Sequence, residues 1–422
     1  MTVRFSGGKT ALVLAGGGIA GAVYEIGALR AIDDLLVDRT VNDFDIYVGT
    51  SAGALVSTFV ANGISPEFLL QTMDKPGANV EPFRRESVFS VNYRDVARWG
   101  LGLPKKLVGA WSQYLLHIND MTFFDLLWSL SDVLPAGMYD GLALEQYLRM
   151  ALVQQNKSND FTKLERELFI IATNLDSGDR TVFGPGSHED TPISLAVAAS
   201  SALPILYKPV NIDGQDYVDG GLRGNASIDL AIEHGADLVV CVNPLVPFYN
   251  RDRENTSKKR GLGEHLSQKG IQSIANQTLR ITTHAGLHYH IKQLRRSNPQ
   301  VDIILIEPTV EDYPMFLDNI MRYSVRLDVA RYGFESVTLN LAKDYAFYKQ
   351  VLRRHGIPIT RRLVIEEIRE IQQSNHNSEV IRRVLEARKG PCGGRKFNSP
   401  ICQLERVLSE LEMTLEIREM GA

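Results

Sequence analysis

The chain is poor in the features that would assign it quickly. Three cysteines among 422 residues are too few for a disulfide framework. Cys241, inside the apolar stretch DLVVCVNP, reads as a small buried hydrophobe. Cys392 and Cys402 are not marked as a pair, and a reducing, cytoplasmic setting is expected. There is no excess of basic charge: the net charge is −4, which argues against a nucleic-acid binder. Local basic groups such as Lys258-Lys259-Arg260 and Arg295-Arg296 read as solvated faces. No run reaches the roughly 18 apolar residues needed to span a bilayer. The first apolar run, Ala11 to Ala15, is short and ends in glycine, unlike a signal peptide. A membrane role is therefore expected only at the surface. Internal repeats and long low-complexity tracts are also missing.

What is present is ordinary globular material, with 44% hydrophobic and 23% charged residues. The length suits one large or two medium domains. KTALVLA (9–15) reads as a buried strand, and 21–36 as a helix with Val23, Ile26, Leu29, Ile32 and Leu36 near helical spacing. FDIYVGT (44–50) is a second strand, and 51–62 a second helix ended by Asn62-Gly63. Strand, helix, strand, helix argues for an α/β domain with parallel neighbours. Further strands fall at 167–175, 238–242 and 301–308. A small-residue helix spans 193–203, and a hairpin spans 210–218 with Asp213-Gly214 at its turn.

Three regions read differently. Residues 83–140 hold all three tryptophans, Trp99, Trp111 and Trp128, together with Lys105 and Lys106. They suit a helical insertion packed on the sheet, or a lid facing a lipid headgroup zone. Residues 250–270 read as a charged, mobile loop. From about 320 the pattern is helical, with a Gly/Pro linker at 389–400. A seam of Ile401, Leu404, Leu408, Leu411 and Leu415 follows it. That seam fits either docking onto the body of the chain or contact between chains in a homo-oligomer.

The chemistry starts at LVLAGGGIAGA (12–22). Gly16-x-Gly18-x-x-Gly21 has dinucleotide-binding spacing, but the same turn can aim backbone N–H groups at an oxyanion. The dinucleotide reading wants an acid ending the second strand. Here that strand ends in Gly49-Thr50-Ser51, and Asp43 and Asp45 lie at its beginning. Gly49-Thr50-Ser51-Ala52-Gly53 is instead a G-x-S-x-G sequence between a strand and a helix. That context projects a serine hydroxyl from a sharp turn toward a helix N-terminus.

A serine needs a base, and none of the nine histidines sits in a recognisable catalytic turn. His188 lies in the loop GPGSHEDTP. His284, His288 and His290 cluster in THAGLHYH, where the first two share a helix face like metal ligands. No Asp or Glu stands beside them, so no metal is expected. Asp219, in Tyr217-Val218-Asp219-Gly220-Gly221, ends an apolar stretch. It reads either as a turn aspartate or as a catalytic acid.

Four blocks, in order and spacing, resemble the patatin-like phospholipases, which are serine lipid acyl hydrolases. The blocks are Gly16-Gly17-Gly18-Ile19-Ala20-Gly21, Gly49-Thr50-Ser51-Ala52-Gly53, Ala199-Ser200-Ser201-Ala202-Leu203-Pro204 and Asp219-Gly220-Gly221. The resemblance covers roughly 9–245. It implies a three-layer α/β/α fold with a mainly parallel central sheet, over residues 1–320, with a helical extension over 321–422. It also implies a Ser–Asp dyad without histidine, with Ser51 as nucleophile and Asp219 as base. Backbone amides of Gly16, Gly17 and Gly18 would form the oxyanion hole, supported by Gly21, Gly49, Gly53, Gly220 and Gly221. Ser200 and Ser201 would be structural. The implied substrate is a phospholipid or other acyl lipid, met at a peripheral membrane surface, with no metal or organic cofactor.

Two departures from the family stand out. Ala20 replaces the family's usual basic residue, with Arg223 or Lys9 as candidate substitutes. Asn225-Ala226-Ser227 stands where many members have proline. A general carboxylesterase or thioesterase with the same dyad, or a weakly active lipid-binding regulatory protein, remains an alternative.

Overall fold

A computed structural model describes residues 8–72, 90–91, 137–248, 265–308 and 323–387. Most of the expected insertion (83–140), including its tryptophans, lies outside these residues. So do most of the charged loop, the 389–400 linker and the terminal leucine seam.

The backbone of the fold is a run of apolar strands. β1 (Lys9–Leu14), β2 (Ile46–Thr50), β5 (Glu167–Asn174), β10 (Ala236–Val242) and β11 (Asp302–Ile306) pair in parallel in the order β11-β10-β1-β2-β5. β6 (Arg180–Phe183) and β9 (Gln215–Asp219) pair antiparallel with β5, and β8 (Val210–Ile212) completes the expected hairpin with β9. The hairpin turn places Asp213 and Gly214 both at positive φ, 51° and 81°, as a type I′ turn requires. The sheet is thus mainly parallel. Three short strands, β3 (Ser90–Val91), β4 (Gly137–Asp140) and β7 (Ile205–Tyr207), form a separate small sheet.

Strand side chains alternate between two cores, because successive residues point to opposite faces. From β1, Leu12 and Leu14 enter one cluster, with α1 (Gly18–Leu35), α2 (Ala52–Ala61), α3 (Pro66–Thr72) and α5 (Ile193–Ser200). Ala11 and Val13 enter the other, with α6 (Ile228–Glu233) and α7 (Ile271–Ser297). Helices on both faces of a central sheet make the three layers that the sequence implies. α4 (Leu142–Gln154) adds Leu148, Ala151 and Leu152 to the first cluster.

The C-terminal helices are α8 (Tyr323–Lys343), α9 (Tyr345–Arg354), α10 (Arg362–Gln373) and α11 (Ser378–Glu386). They extend the same hydrophobic cluster through Val329, Phe334, Val364, Ile371 and Leu385. α8 crosses α1 where both carry glycine. A methyl group on Gly27 would fall 1.9 Å from the Ala330 carbonyl oxygen, and one on Gly333 would fall 2.2 Å from that of Tyr24. Only glycine permits so close a helix contact.

α1 is tied further by Arg30, which is fully buried. Its guanidinium pairs with Asp34, Glu67 at 3.5 Å and Glu367 at 3.6 Å, and donates to the Ala387 carbonyl at 3.1 Å. Among the described residues no single helix is long and apolar enough to cross a membrane.

Candidate active site

Strand register brings the two candidate residues together. Ile170 and Ile171 of β5 pair with both β2 and β6, while Ala172 and Thr173 pair with both β6 and β9. A strand has only two edges. β6 therefore occupies one, and β2 and β9 share the other, running toward each other. Ser51 follows the end of β2, and Asp219 is the end of β9.

Ser51 caps α2 with φ 53° and ψ −117°. This is a strained conformation for a residue with a side chain, worth about 1–3 kcal/mol. Neighbours hold the turn. The Ser51 N–H donates to Ser200 Oγ at 2.8 Å, and that hydroxyl donates to the Ile171 carbonyl at 2.5 Å. Ser201 Oγ donates to the Ser51 carbonyl at 3.3 Å. Gly53 has to be glycine, since a methyl group there would lie 2.2 Å from the Leu14 carbonyl oxygen. Gly49 ends the approach to the turn and packs against Ala54 and Ser57.

Ser51 Oγ donates to Asp219 Oδ2 at 2.6 Å, and both residues are buried. Asp219 Oδ1 accepts the Gly221 N–H at 2.8 Å. The strand end is fixed by the Asp219 N–H donating to Ala202 at 3.0 Å and by Thr173 Oγ1 donating to the Asp219 carbonyl at 3.1 Å. Gly220 packs against the Ile171 carbonyl and Thr50. Burial pushes the Asp219 carboxyl up to about 6, against the opposing pull of the Ser51 and Gly221 hydrogen bonds.

The glycine loop lies beside this pair, and α1 starts earlier than its hydrophobic spacing suggests, at Gly18. The Gly16 N–H donates to the Asn225 carbonyl at 3.3 Å, and the Gly21 N–H donates to Gly17 at 3.1 Å. The amides of Gly17 and Gly18 have no hydrogen-bond partner among the described residues. The first turn of α1 also carries no acidic residue, so its positive end is uncompensated. Of the three amides expected to face an anion, Gly16's is thus engaged elsewhere, because the chain at Asn225 crosses behind the loop.

Gly16, Gly17, Gly18, Ser51, Asp219 and Gly221 line one cavity of about 450 Å³. Its remaining wall is largely apolar, including Ile19, Val23, Leu55, Phe59, Leu69, Leu144, Leu203 and Leu206. No histidine lines it among the described residues. His188 is exposed in its loop, against Phe183.

The cations on the wall are Arg280 and Arg326, which sequence reasoning missed. Lys9 pairs with Glu167 at the start of β1, and Arg223 is exposed outside the cavity lining, so neither candidate substitute for Ala20 reaches the cavity. Arg280 comes from α7, whose approach to the site is a long-range packing event with no local signature.

The patatin-like phospholipase family model matches residues 12–232, just over half of the chain. The chain belongs to the patatin-like phospholipase family, and membership supports lipid ester hydrolysis. An uncharacterised protein of Acanthamoeba polyphaga mimivirus is 25% identical over 251 residues, covering 59% of this chain and 69% of its own. A probable lipid hydrolase of Invertebrate iridescent virus 6 is 21% identical over 250 residues, covering 57% and 72%. Among solved structures, VipD from Legionella pneumophila aligns at a TM-score of 0.35 with 12% identity, covering 98% of this chain and 87% of that one.

Proposed function

We propose that the protein cleaves fatty-acyl esters of lipids through a Ser51–Asp219 dyad and an acyl-enzyme intermediate. The observation that carries this reading is the 2.6 Å hydrogen bond from Ser51 Oγ to Asp219 Oδ2, two residues that line a largely apolar cavity. Ser51 Oγ attacks the ester carbonyl carbon as Asp219 takes its proton. The carbonyl oxygen gains negative charge against the Gly17 and Gly18 amides at the positive end of α1, where fixed dipoles stabilise it. The tetrahedral adduct collapses, and Asp219 returns the proton to the departing alcohol oxygen. Water then attacks the acyl-serine, with Asp219 as base, and releases the fatty acid.

The apolar wall suits an acyl chain, and Arg280 and Arg326 suit a negatively charged headgroup. Leu222 and Leu279 line the cavity while remaining 50% and 38% exposed. Such residues favour substrate capture at a lipid surface.

The test is fatty-acid release from mixed phospholipid and neutral-lipid vesicles by wild type, Ser51→Ala and Asp219→Ala. Release by wild type, lost in both variants, is expected. Release that survives both substitutions would overturn the dyad. Hydrolysis of short soluble esters but never of vesicles would replace lipid hydrolysis with a general esterase activity.

A further inference from the structure

Helix α7 carries side chains that the dyad does not use. Asn276, Leu279, Arg280 and Thr283 wall the cavity. His284 and His288 follow on the same helix, four residues apart and therefore on one face. Their rings pack with centroids 4.2 Å apart. The carboxylate that the local sequence lacks comes from Glu307, just beyond β11. His284 Nε2 lies 3.4 Å from Glu307 Oε1, and His288 Nε2 lies 2.9 Å from Oε2. One donor atom from each residue falls within 4.8 Å of the others.

We propose that His284, His288 and Glu307 bind one divalent transition-metal ion of the zinc class, pinning α7 to the end of β11. Two imidazoles and one carboxylate are a zinc ligand set, and imidazole disfavours magnesium and calcium. Bond lengths near 2.0–2.2 Å place tetrahedral donors roughly 3.3 Å apart. The two imidazoles reach the two oxygens of one carboxylate, and the three donor atoms lie within 4.8 Å of one another, so an ion would draw them inward to that spacing. His288 is exposed, which leaves a solvent path for the ion and an open fourth position.

The carboxylate is oriented from behind, as metal-binding carboxylates are. The fully buried Asn243 donates its side-chain amide to Glu307 Oε1 at 2.7 Å, and its oxygen accepts from Asn225 Nδ2 at 2.9 Å. Asn225 in turn holds the Gly16 amide through its carbonyl. The ion would therefore steady two parts of the cavity together, the α7 wall and the glycine loop. It would act as a positioning group and would not touch the ester.

The test uses untagged full-length protein, stripped with a chelator and titrated with Co²⁺ and then Zn²⁺. One Co²⁺ per chain is expected, with visible d–d absorption, no thiolate-to-metal band, and displacement by Zn²⁺. Zn²⁺ should raise the unfolding midpoint of the stripped protein, because an ion that binds only the folded state stabilises it. His288→Ala alters an exposed side chain, so folding should survive while affinity falls by more than ~100-fold. Asn243→Ala, which removes the orienting amide together with the oxygen that accepts from Asn225 and from the Leu245 N–H, should weaken binding by about 10- to 100-fold. His290→Ala should bind as wild type does. No saturable binding at one equivalent, a thiolate signature, or unchanged affinity in His288→Ala would overturn the proposal.

Discussion

Thr50 and Asp219 end two strands that run toward each other along one edge of β5: Thr50 pairs with Ile171, and Asp219 with the next residue, Ala172. The proposed nucleophile, Ser51, therefore stands one residue past a parallel strand, and the proposed base, Asp219, closes an antiparallel one. The hydrogen bond between them is set by sheet register, so it does not depend on a flexible loop. Disturbances of the β5 edge should be felt directly in the chemistry.

In the proposed mechanism Asp219 sets the pH dependence. A base must be ionised to accept the Ser51 proton, so kcat/KM should rise with pH through an inflection near 6. A profile flat from pH 5 to 8 would count against Asp219 as the base. Stability should run the other way. The folded-state pKa is raised from 3.8 to about 6, so folding gains from the protonated form below 3.8 and loses that gain as pH climbs through about 6. At pH 7 the ionised carboxylate costs about 3 kcal/mol, taking ~1.4 kcal/mol per pKa unit. Asp219→Asn should therefore be inactive yet more stable than wild type at pH 7, and the difference should shrink toward pH 4. Urea denaturation at the two pH values measures this.

Ser200 should matter as a positioning residue. Its hydroxyl links the Ser51 amide to the Ile171 carbonyl, and the residue is fully buried. Ser200→Ala removes the acceptor of the buried Ser51 amide and the hydroxyl bonded to the Ile171 carbonyl, at a cost of about 1–3 kcal/mol. The strained turn then loses its anchor, and kcat should fall roughly 10- to 100-fold through misplacement of the nucleophile. KM should change little, since Ser200 does not line the cavity. Steady-state kinetics beside denaturation curves would separate the two effects; a change in stability with kcat intact would leave Ser200 only a packing role.

Arg30 should be the most sensitive position away from the site. It pairs with Asp34, Glu67 and Glu367 in the interior and joins α1 to α3, α10 and the end of α11. Arg30→Met would strand three buried carboxylates, costing about 3–5 kcal/mol. The unfolding midpoint in urea should fall accordingly. A change below 1 kcal/mol would mean that water or repacking compensates the carboxylates.

Much of this site could be read in the chain because it is built from local rules. Glycine-punctuated apolar runs mark β1 and β2, the Asp213-Gly214 turn marks the β8–β9 hairpin, and the G-x-S-x-G turn needs its glycines for close backbone approach. What could not be read depends on partners far away in sequence. The engagement of the Gly16 amide needs the path of the chain at Asn225. The cavity cations need two distant helices, α7 for Arg280 and α8 for Arg326, brought to the wall that holds the glycine loop. The carboxylate beside His284 and His288 arrives from a strand end 19 residues beyond His288. Helix periodicity also placed the start of α1 too late, at Gly21, because the three glycines before it carry no apolar signal.

The central claim, that Ser51 is the acylated nucleophile, is tested most directly by trapping it. Full-length protein treated with a fluorophosphonate should carry one label, and peptide mass spectrometry should place it on Ser51. Labelling should vanish in Ser51→Ala and slow markedly in Asp219→Asn, whose side chain no longer takes the proton. A label on any other residue, or equal labelling of Ser51→Ala, would contradict the account.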